Sequence, residues 1–395
     1  MRIAIIGAGL GGLRTAEALR AHRFEGSVLL IGDEAELPYD RPPLSKEVLL
    51  GTREPSDTAL VTRPRLAELG VEARLGVAAT GLDIQGHLVR LSDGSSVVYD
   101  HLVIATGARA RELPGIGRAE GLHLLRTLSD ARAVRNRLRR SRTLTVVGGG
   151  FIGAEVAATA SNTGLAVTIV EAAGELMSRA LGPVLGGHLT LLHRQRGVDV
   201  RTGVTVLAAR ARGDRLELAL SDGSEIASDL AVAGVGALPN VEWLRGSGLR
   251  LGDGVQCDAS LRAVGADSVY AVGDVARWPH PRYGAMRAEH WTSVAEQAAV
   301  VAAGIAGESR VADALPYVWS DQFGTRLQIA GQIGTGDDVS YAVGGPCSER
   351  FVALARGGER ATAVVARGAL RDFLAHRAIL AQGGFWAVQE APTAG

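Results

Sequence analysis

Residues 2–12 read R-I-A-I-I-G-A-G-L-G-G, and residues 144–153 read L-T-V-V-G-G-G-F-I-G. In each, an apolar run ends in G-x-G-x-x-G, and a helical pattern follows at residues 13–20 and 154–164. These residue types suit a pyrophosphate held on bare backbone. Gly7 and Gly148 permit the tight strand-to-helix turn. Gly9 and Gly150 leave room for the phosphates, and Gly12 and Gly153 let the helix pack closely on the strand. The helix N-terminus then offers unpaired N–H groups and a partial positive charge. A second strand pattern follows in each copy, at residues 27–31 and 167–170. An acid, Asp33 or Glu171, comes roughly 20 residues past the last glycine. A carboxylate there accepts hydrogen bonds from ribose hydroxyls. Glu171 would also repel a 2′-phosphate, and no arginine directly follows it, so the second site favours NADH over NADPH. One glycine pattern alone is weak evidence. Strand, helix and acid in order, twice, is strong evidence.

Two dinucleotide sites in one chain imply two dinucleotides that exchange electrons, the usual solution being one resident FAD and one visiting nicotinamide. Three further segments point to flavin. Residues 102–107, L-V-I-A-T-G, form an apolar strand ending in A-T-G. Residues 269–274, V-Y-A-V-G-D, form a strand ending in an aspartate placed to bond a ribityl hydroxyl. Residues 38–46, P-Y-D-R-P-P-L-S-K, form a rigid proline turn carrying two cations.

The chain that must position these groups has 395 residues, enough for two to three domains. It carries 42 basic and 42 acidic residues. That balance gives no bulk reason to expect a nucleic-acid or membrane-surface partner. Only Cys257 and Cys347 are present, far apart, which argues against a disulfide framework or thiolate metal site and fits a reduced cytoplasmic setting. An apolar strand pattern begins directly after Met1-Arg2, so no cleavable signal is expected. The longest apolar stretches are too short to span a bilayer. Strand patterns at 71–77 and 88–92, with an Asp93-Gly94 turn, recur as 214–220 followed by Ser221-Asp222-Gly223. After Gly307 the pattern changes. Strands are expected at 327–333, 339–343, 351–355 and 361–366, then an amphipathic helix at 370–382, making a separate α+β domain. The tail from Glu390 is expected to fray.

The chain resembles the putidaredoxin reductase and dioxygenase ferredoxin reductase family of FAD-dependent pyridine nucleotide oxidoreductases. L-P-Y-D-R-P-P-L-S-K (37–46) carries the resemblance most specifically. G-G-G-F-I-G-A-E (148–155), G-D-V-A (273–276), E-H-W (289–291) and V-W-S-D-Q (318–322) follow in family order. The likeness implies an α/β protein with two Rossmann-like dinucleotide-binding domains, arranged as in glutathione reductase, plus a C-terminal α+β domain. The FAD domain takes residues 1–110 and 238–315, the NADH domain 111–237 and the C-terminal domain 316–395. It also implies site residues. Around FAD these are Gly7, Gly9, Leu10, Gly11, Gly12, Asp33 and Glu34, with Arg41 on the pyrophosphate and Lys46 beside the isoalloxazine. Ala79, Ala105, Thr106, Gly107 and Arg126 line the adenine side. Gly273 and Asp274 reach the ribityl chain, and Glu289, His290, Trp291 and Trp319 surround the ring. Around NADH they are Gly148, Gly150, Phe151, Ile152, Gly153, Glu155, Glu171, Arg179 and Gly236. Two small departures stand out: Ala79 replaces a valine at an adenine contact, and Ala366-Arg367 replaces Val-Asn before the C-terminal helix.

The expected activity is hydride transfer from NADH to FAD, then single electrons to a 2Fe–2S ferredoxin feeding an oxygenase. Lys46, Glu155 and Trp319 are the candidate catalytic residues, with Glu155 pairing with Lys46 beside the nicotinamide. A dithiol acceptor is disfavoured because no cysteine lies in the proline turn. An acidic ferredoxin would dock on basic surface residues such as Arg63, Arg65 or Arg310. Other acceptors stay open: a rubredoxin, or oxygen and quinones in a diaphorase or oxidase. A redox-sensing interaction protein is a further alternative, and the chain is either a monomer or a homodimer. Plainer readings also exist. Lys46 could be a surface lysine, Glu155 a first-turn acid favoured by the helix dipole, and His290 or Trp319 simple core. The two cysteines read as small buried hydrophobes and the arginines of 135–142 as a solvated helix face. If Lys46 acts at the flavin, Lys46→Ala slows flavin reduction by NADH in stopped-flow absorbance traces; an unchanged rate removes that role.

Overall fold

The computed structural model describes residues 1–117, 119–346 and 348–383. Cys347 and the tail from Glu390, on which expectations were placed, lie outside the described residues. The chain divides into two compact units. The first comprises residues 1–111, 126–132 and 236–314, and the second residues 112–125, 133–235 and 315–395.

In the first unit the strand Arg2–Ile6 lies at the centre of a five-stranded sheet. The order is Val269–Ala271, His101–Ile104, Arg2–Ile6, Ser27–Gly32, Val71–Leu75, with every pairing parallel. Parallel strands covered on both faces must be apolar throughout, and Ile3, Ile5, Leu30, Ile31, Leu102 and Val103 are fully buried. The helix Leu10–Ala21 follows the first turn. The second unit repeats this plan. Its sheet runs Asp199–Thr202, Ala166–Glu171, Thr143–Val147, Leu230–Ala233, Leu122–Leu124, again all parallel, and the helix Phe151–Ser161 follows its glycine turn. Both units carry the expected antiparallel insert. Ser95 N–H donates to Asp93 in one turn and Ser224 N–H to Asp222 in the other.

The C-terminal segment forms an antiparallel sheet in the order Tyr317–Gln322, Thr325–Gly331, Arg360–Arg367, Phe351–Gly357, Asp338–Val343. Phe373 and Leu380 of the helix Leu370–Ala381 are fully buried in one cluster with Val352 and Val364 of this sheet. The expected α/β fold with a C-terminal α+β part is present. The strand Tyr317–Gln322 is an addition to the sequence reading. The arginine stretch differs from it: Arg135 is buried, and Arg137 donates to the carbonyl of Asp229. Only Arg139, Arg140 and Arg142 are exposed as expected.

The third glycine of each turn is held by sterics. A Cβ on Gly12 would sit 2.0 Å from Gly7 O, and one on Gly153 would sit 1.9 Å from Gly148 O. The helix can lie this close to the strand only without a side chain there. Gly153→Ala is therefore expected to destabilise the protein by about 1–3 kcal/mol. Gly150→Ala, whose Cβ would meet nothing within 4 Å, should cost less. Paired thermal melts check the order.

Candidate functional site

In the first unit, Gly7 has φ 118° and its N–H donates to Ile31 O at 2.7 Å. A side chain at Gly7 would strike the Ala105 carbonyl at 2.1 Å, so the turn and the A-T-G strand end are in direct contact. A Cβ on Gly11 would sit 3.5 Å from the Ala105 methyl. Gly9 is the N-cap of the helix that begins at Leu10 and supplies no side-chain cap. The first helical bond is Leu13 N to Gly9 O, which leaves the N–H groups before it directed at the turn.

The proline turn and its neighbours form a continuous polar network. Tyr39 O–H donates to Glu34 at 2.6 Å, and Arg41 pairs with the other Glu34 oxygen at 2.7 Å while lying over the Tyr39 ring. Arg41 also donates to the Arg126 carbonyl at 2.6 Å. The Arg126 side chain donates to Ala108 O and pairs with Asp274 at 2.6 Å. Thr106 donates to Asn240 O, and the Asn240 amide returns a bond to Thr106 O. Gly107, at φ 62°, continues that turn, and its carbonyl accepts from Asn240 N. Gly273, at φ 80°, donates its N–H to Gln297. Asp33 is exposed beside Glu34, and Ala79 is half-buried at the start of the strand Ala79–Asp83. Lys46 is half-buried, with its ammonium donating to Ser45 Oγ at 3.3 Å.

Glu289 pairs with Arg287, and Trp291 donates its indole N–H to Asp40 at 2.8 Å. Burial raises the Asp40 carboxyl, against the opposing Trp291 bond and the nearby cations. Burial lowers the His290 imidazole, against the Asp274 charge, so the ring is neutral at pH 7. Its Nδ1 has no partner among the described residues. The uncapped helix, the open face of Gly9 and this orphaned nitrogen together fit a dinucleotide with a polar ring system. Tyr39, Asn240, Gln297 and Arg287 were not singled out in the sequence. Only Tyr39 carried a local signal, inside the proline turn.

In the second unit the same steric device recurs. Gly148 has φ 101°, and a Cβ there would meet Gly234 O at 2.4 Å. Gly150 caps the helix without a side chain, and Phe151, Ile152 and Gly153 form its first turn. Glu171 accepts the N–H of Gly149 with one oxygen and that of Ala173 with the other, at 2.7 Å for Ala173. The carboxylate is therefore fixed on the glycine turn. The two acids are not in equivalent register. Gly148 N bonds Val170 O and Gly7 N bonds Ile31 O, so Glu171 corresponds to Gly32 and Asp33 lies one residue beyond. A Cβ on Gly32 would come within 2.5 Å of the Ala8 methyl, which fills the space that the Glu171 side chain uses in the second unit. Arg179 is exposed in the first turn of the helix Ser178–Gln195. Gly236, at φ 109°, falls in the first unit, where its carbonyl accepts from Arg111 N.

Glu155 is buried on the helix behind the second glycine turn. It accepts from Ser320 O–H at 2.9 Å and from Asp321 N–H at 3.3 Å. Trp319 precedes Ser320 on the same strand, stacked near Tyr317 and under Arg326. Cys257 is buried, and burial pushes its thiol up to about 12.

Residues 1–299 match the family described as pyridine nucleotide-disulphide oxidoreductase. The chain belongs to that family. Residues 317–392 of this oxidoreductase match the reductase C-terminal domain. It is 38% identical to the anthranilate 1,2-dioxygenase system ferredoxin–NAD(+) reductase component of Burkholderia cepacia, over 96% of this chain and 94% of the relative. It is 41% identical to the benzene 1,2-dioxygenase system ferredoxin–NAD(+) reductase subunit of Pseudomonas putida, over 96% and 92%. The crystal structure of a covalent putidaredoxin reductase–putidaredoxin complex superposes with a TM-score of 0.92 at 32% identity, covering 97% of this chain and 93% of that one. The resemblance read from the proline turn and glycine turns is borne out. Because Glu171 is anchored by two backbone N–H groups, Glu171→Arg should raise the NADH KM about tenfold or more through loss of charge-assisted ribose bonds and improve NADPH use. An unchanged coenzyme preference in steady-state kinetics removes the ribose assignment.

Proposed function

We propose that this chain is an FAD-dependent NADH:ferredoxin reductase that supplies single electrons to a 2Fe–2S ferredoxin feeding an oxygenase. The observation that carries the reading is the doubled nucleotide fold. Each copy has an uncapped helix behind a glycine turn, and in the second the Glu171 carboxylate is anchored on that turn by two backbone N–H groups. When bound, FAD accepts a hydride from NADH and gives up electrons one at a time.

The protein supplies position and charge. The N–H groups at Leu10–Gly12 and the Arg41 guanidinium hold the FAD pyrophosphate. Glu34 keeps Arg41 in place. Asp33 takes the adenosine ribose. Arg126 orients Asp274 toward the ribityl hydroxyls. Neutral His290 offers a ring nitrogen without bringing a second charge. Lys46 supplies the cation beside the flavin ring. The glycine turn at 148–153 takes the NADH pyrophosphate, Glu171 and Arg179 its ribose end, and Glu155 its nicotinamide side. Trp319 shields the flavin.

Neither Cys257 nor Cys347 lies in the proline turn, which argues against a dithiol acceptor. The proline turn holds Ser45 and Lys46 where a redox cysteine would be needed, and the Cys257 thiol is buried and donates to Val255 O. An external one-electron acceptor is the remainder. The names of the relatives make it a ferredoxin for an oxygenase. Its acidic surface would meet exposed arginines such as Arg63, Arg65 or Arg310. Among the described residues no helix is long and apolar enough to cross a membrane, and the reading places the enzyme in the cytoplasm.

Anaerobic titration with NADH, followed by oxidised 2Fe–2S ferredoxin, tests it by absorbance. The yellow flavin band should bleach and then recover as the ferredoxin is reduced. Bleaching with no recovery overturns the acceptor, and absence of bleaching overturns the NADH step.

A further inference from the structure

The V-W-S-D-Q segment alternates in and out along the strand Tyr317–Gln322. Ser320 and Gln322 are fully or nearly fully buried, and Trp319 and Asp321 are not. The two inward residues are polar, which is costly unless every group is paired. They are paired in a single line. His193 Nε2 lies 3.0 Å from Gln322 Oε1. Gln322 Nε2 donates to Ser320 Oγ at 3.0 Å, and Ser320 O–H donates to Glu155 Oε1 at 2.9 Å. All four side chains are at least 95% buried.

The direction of the line follows from the donors. An amide oxygen only accepts, so His193 Nε2 carries the proton and Nδ1 is the bare nitrogen. That Nδ1 has no partner among the described residues. Burial lowers the His193 imidazole to about 4, so the ring is neutral at pH 7. Each bond thus points the same way, and the last donor ends on the carboxylate. Bonds aligned head to tail polarise one another. Gln322 Nε2 also touches Met177 Sδ at 3.4 Å, so its second amide proton is engaged as well. The Asp321 carboxylate is paired with Arg326 outside the line, whereas the buried Arg367 faces His193 and its positive charge also disfavours protonation of that ring.

We propose that His193, Gln322 and Ser320 form a directional hydrogen-bond relay whose function is to position the Glu155 carboxylate on the nicotinamide side of the site. The proposal rests on the reading of Glu155 given above. His193, Gln322 and Ser320 are positioning residues, acting on NADH only through Glu155.

The test uses the holoenzyme, with FAD content checked by absorbance. Ser320→Ala and Gln322→Met should each slow flavin reduction by NADH about tenfold, the scale of one charge-assisted hydrogen bond. NADH KM and the NAD(+) dissociation constant from calorimetry should move less than about twofold, since the pyrophosphate and ribose contacts are untouched. Ser320→Thr, which keeps the hydroxyl, should restore the rate. In a Glu155→Gln background, Ser320→Ala should add nothing. Nitrogen NMR of labelled histidine should show His193 protonated on Nε2, with that signal moving in Gln322→Met. If Gln322→Met fails to hold FAD, His193→Phe breaks the far end of the relay and carries the same expected direction. If Glu155→Gln is slow but Ser320→Ala is normal, the relay is overturned and the Glu155 reading stands. If Ser320→Ala still slows the enzyme in the Glu155→Gln background, its effect does not pass through Glu155 and the relay is overturned. If Glu155→Gln itself reduces flavin at the normal rate, the underlying reading fails and takes the relay with it.

Discussion

In each nucleotide fold a helix lies so close to the turn that precedes it that a Cβ at its third glycine would clash with backbone. Gly12 presses on the Gly7 carbonyl, and Gly153 on the Gly148 carbonyl, at distances that exclude even a methyl group. This contact fixes the angle at which the helix leaves the sheet. The angle aims the helix N-terminus, with its unpaired N–H groups and partial positive charge, at the space above the turn. The first glycine of each turn meets a second constraint, from the Ala105 carbonyl in one unit and from Gly234 in the other. Strand, helix and the neighbouring strand end are thereby locked in one geometry, and the polar side chains around each site are hung on that frame.

Around the first frame the network consists of two ion pairs, Glu34 with Arg41 and Arg126 with Asp274, joined where Arg41 donates to the Arg126 carbonyl. Each cation is held by an anion or a carbonyl, so the guanidinium groups need little reorganisation to meet an anionic ligand. Half-buried pairs of this kind serve orientation more than stability, because desolvation offsets much of their attraction. The second site relies instead on one carboxylate clamped by two backbone N–H groups.

The glycine turns were legible because their chemistry is steric and local; spacing alone encodes it. The parallel sheets were legible for a similar reason, since strands buried on both faces are apolar without interruption. Tyr317–Gln322 escaped recognition as a strand because its inward residues, Ser320 and Gln322, are polar, and period-2 hydrophobicity is absent where the buried face is a hydrogen-bond line. The register of Asp33 was hidden because a methyl group on Ala8 does the filling that an acid side chain does elsewhere. Asn240 and Gln297 were invisible for a different reason. Their partners, Thr106 and Gly273, lie far along the chain, and no spacing rule links them. Arg135 looked solvated among its arginine neighbours, yet one turn of helix carries it to the buried side.

The first unit is assembled from three separated pieces of chain, and its sheet places Val269–Ala271 beside His101–Ile104. During synthesis the ribosome must make the whole nucleotide fold of the second unit before that last parallel strand emerges. Until then His101–Ile104 is an open edge, apolar and unpaired, on an otherwise formed four-stranded sheet. The second glycine-turn fold, by contrast, has all five strands of its sheet within residues 122–233. The inserted unit is thus able to close first, and the unit that begins the chain finishes later. A nascent chain of this design carries a sticky edge for more than 160 residues of translation, and that edge is where chaperone binding or misassembly would concentrate.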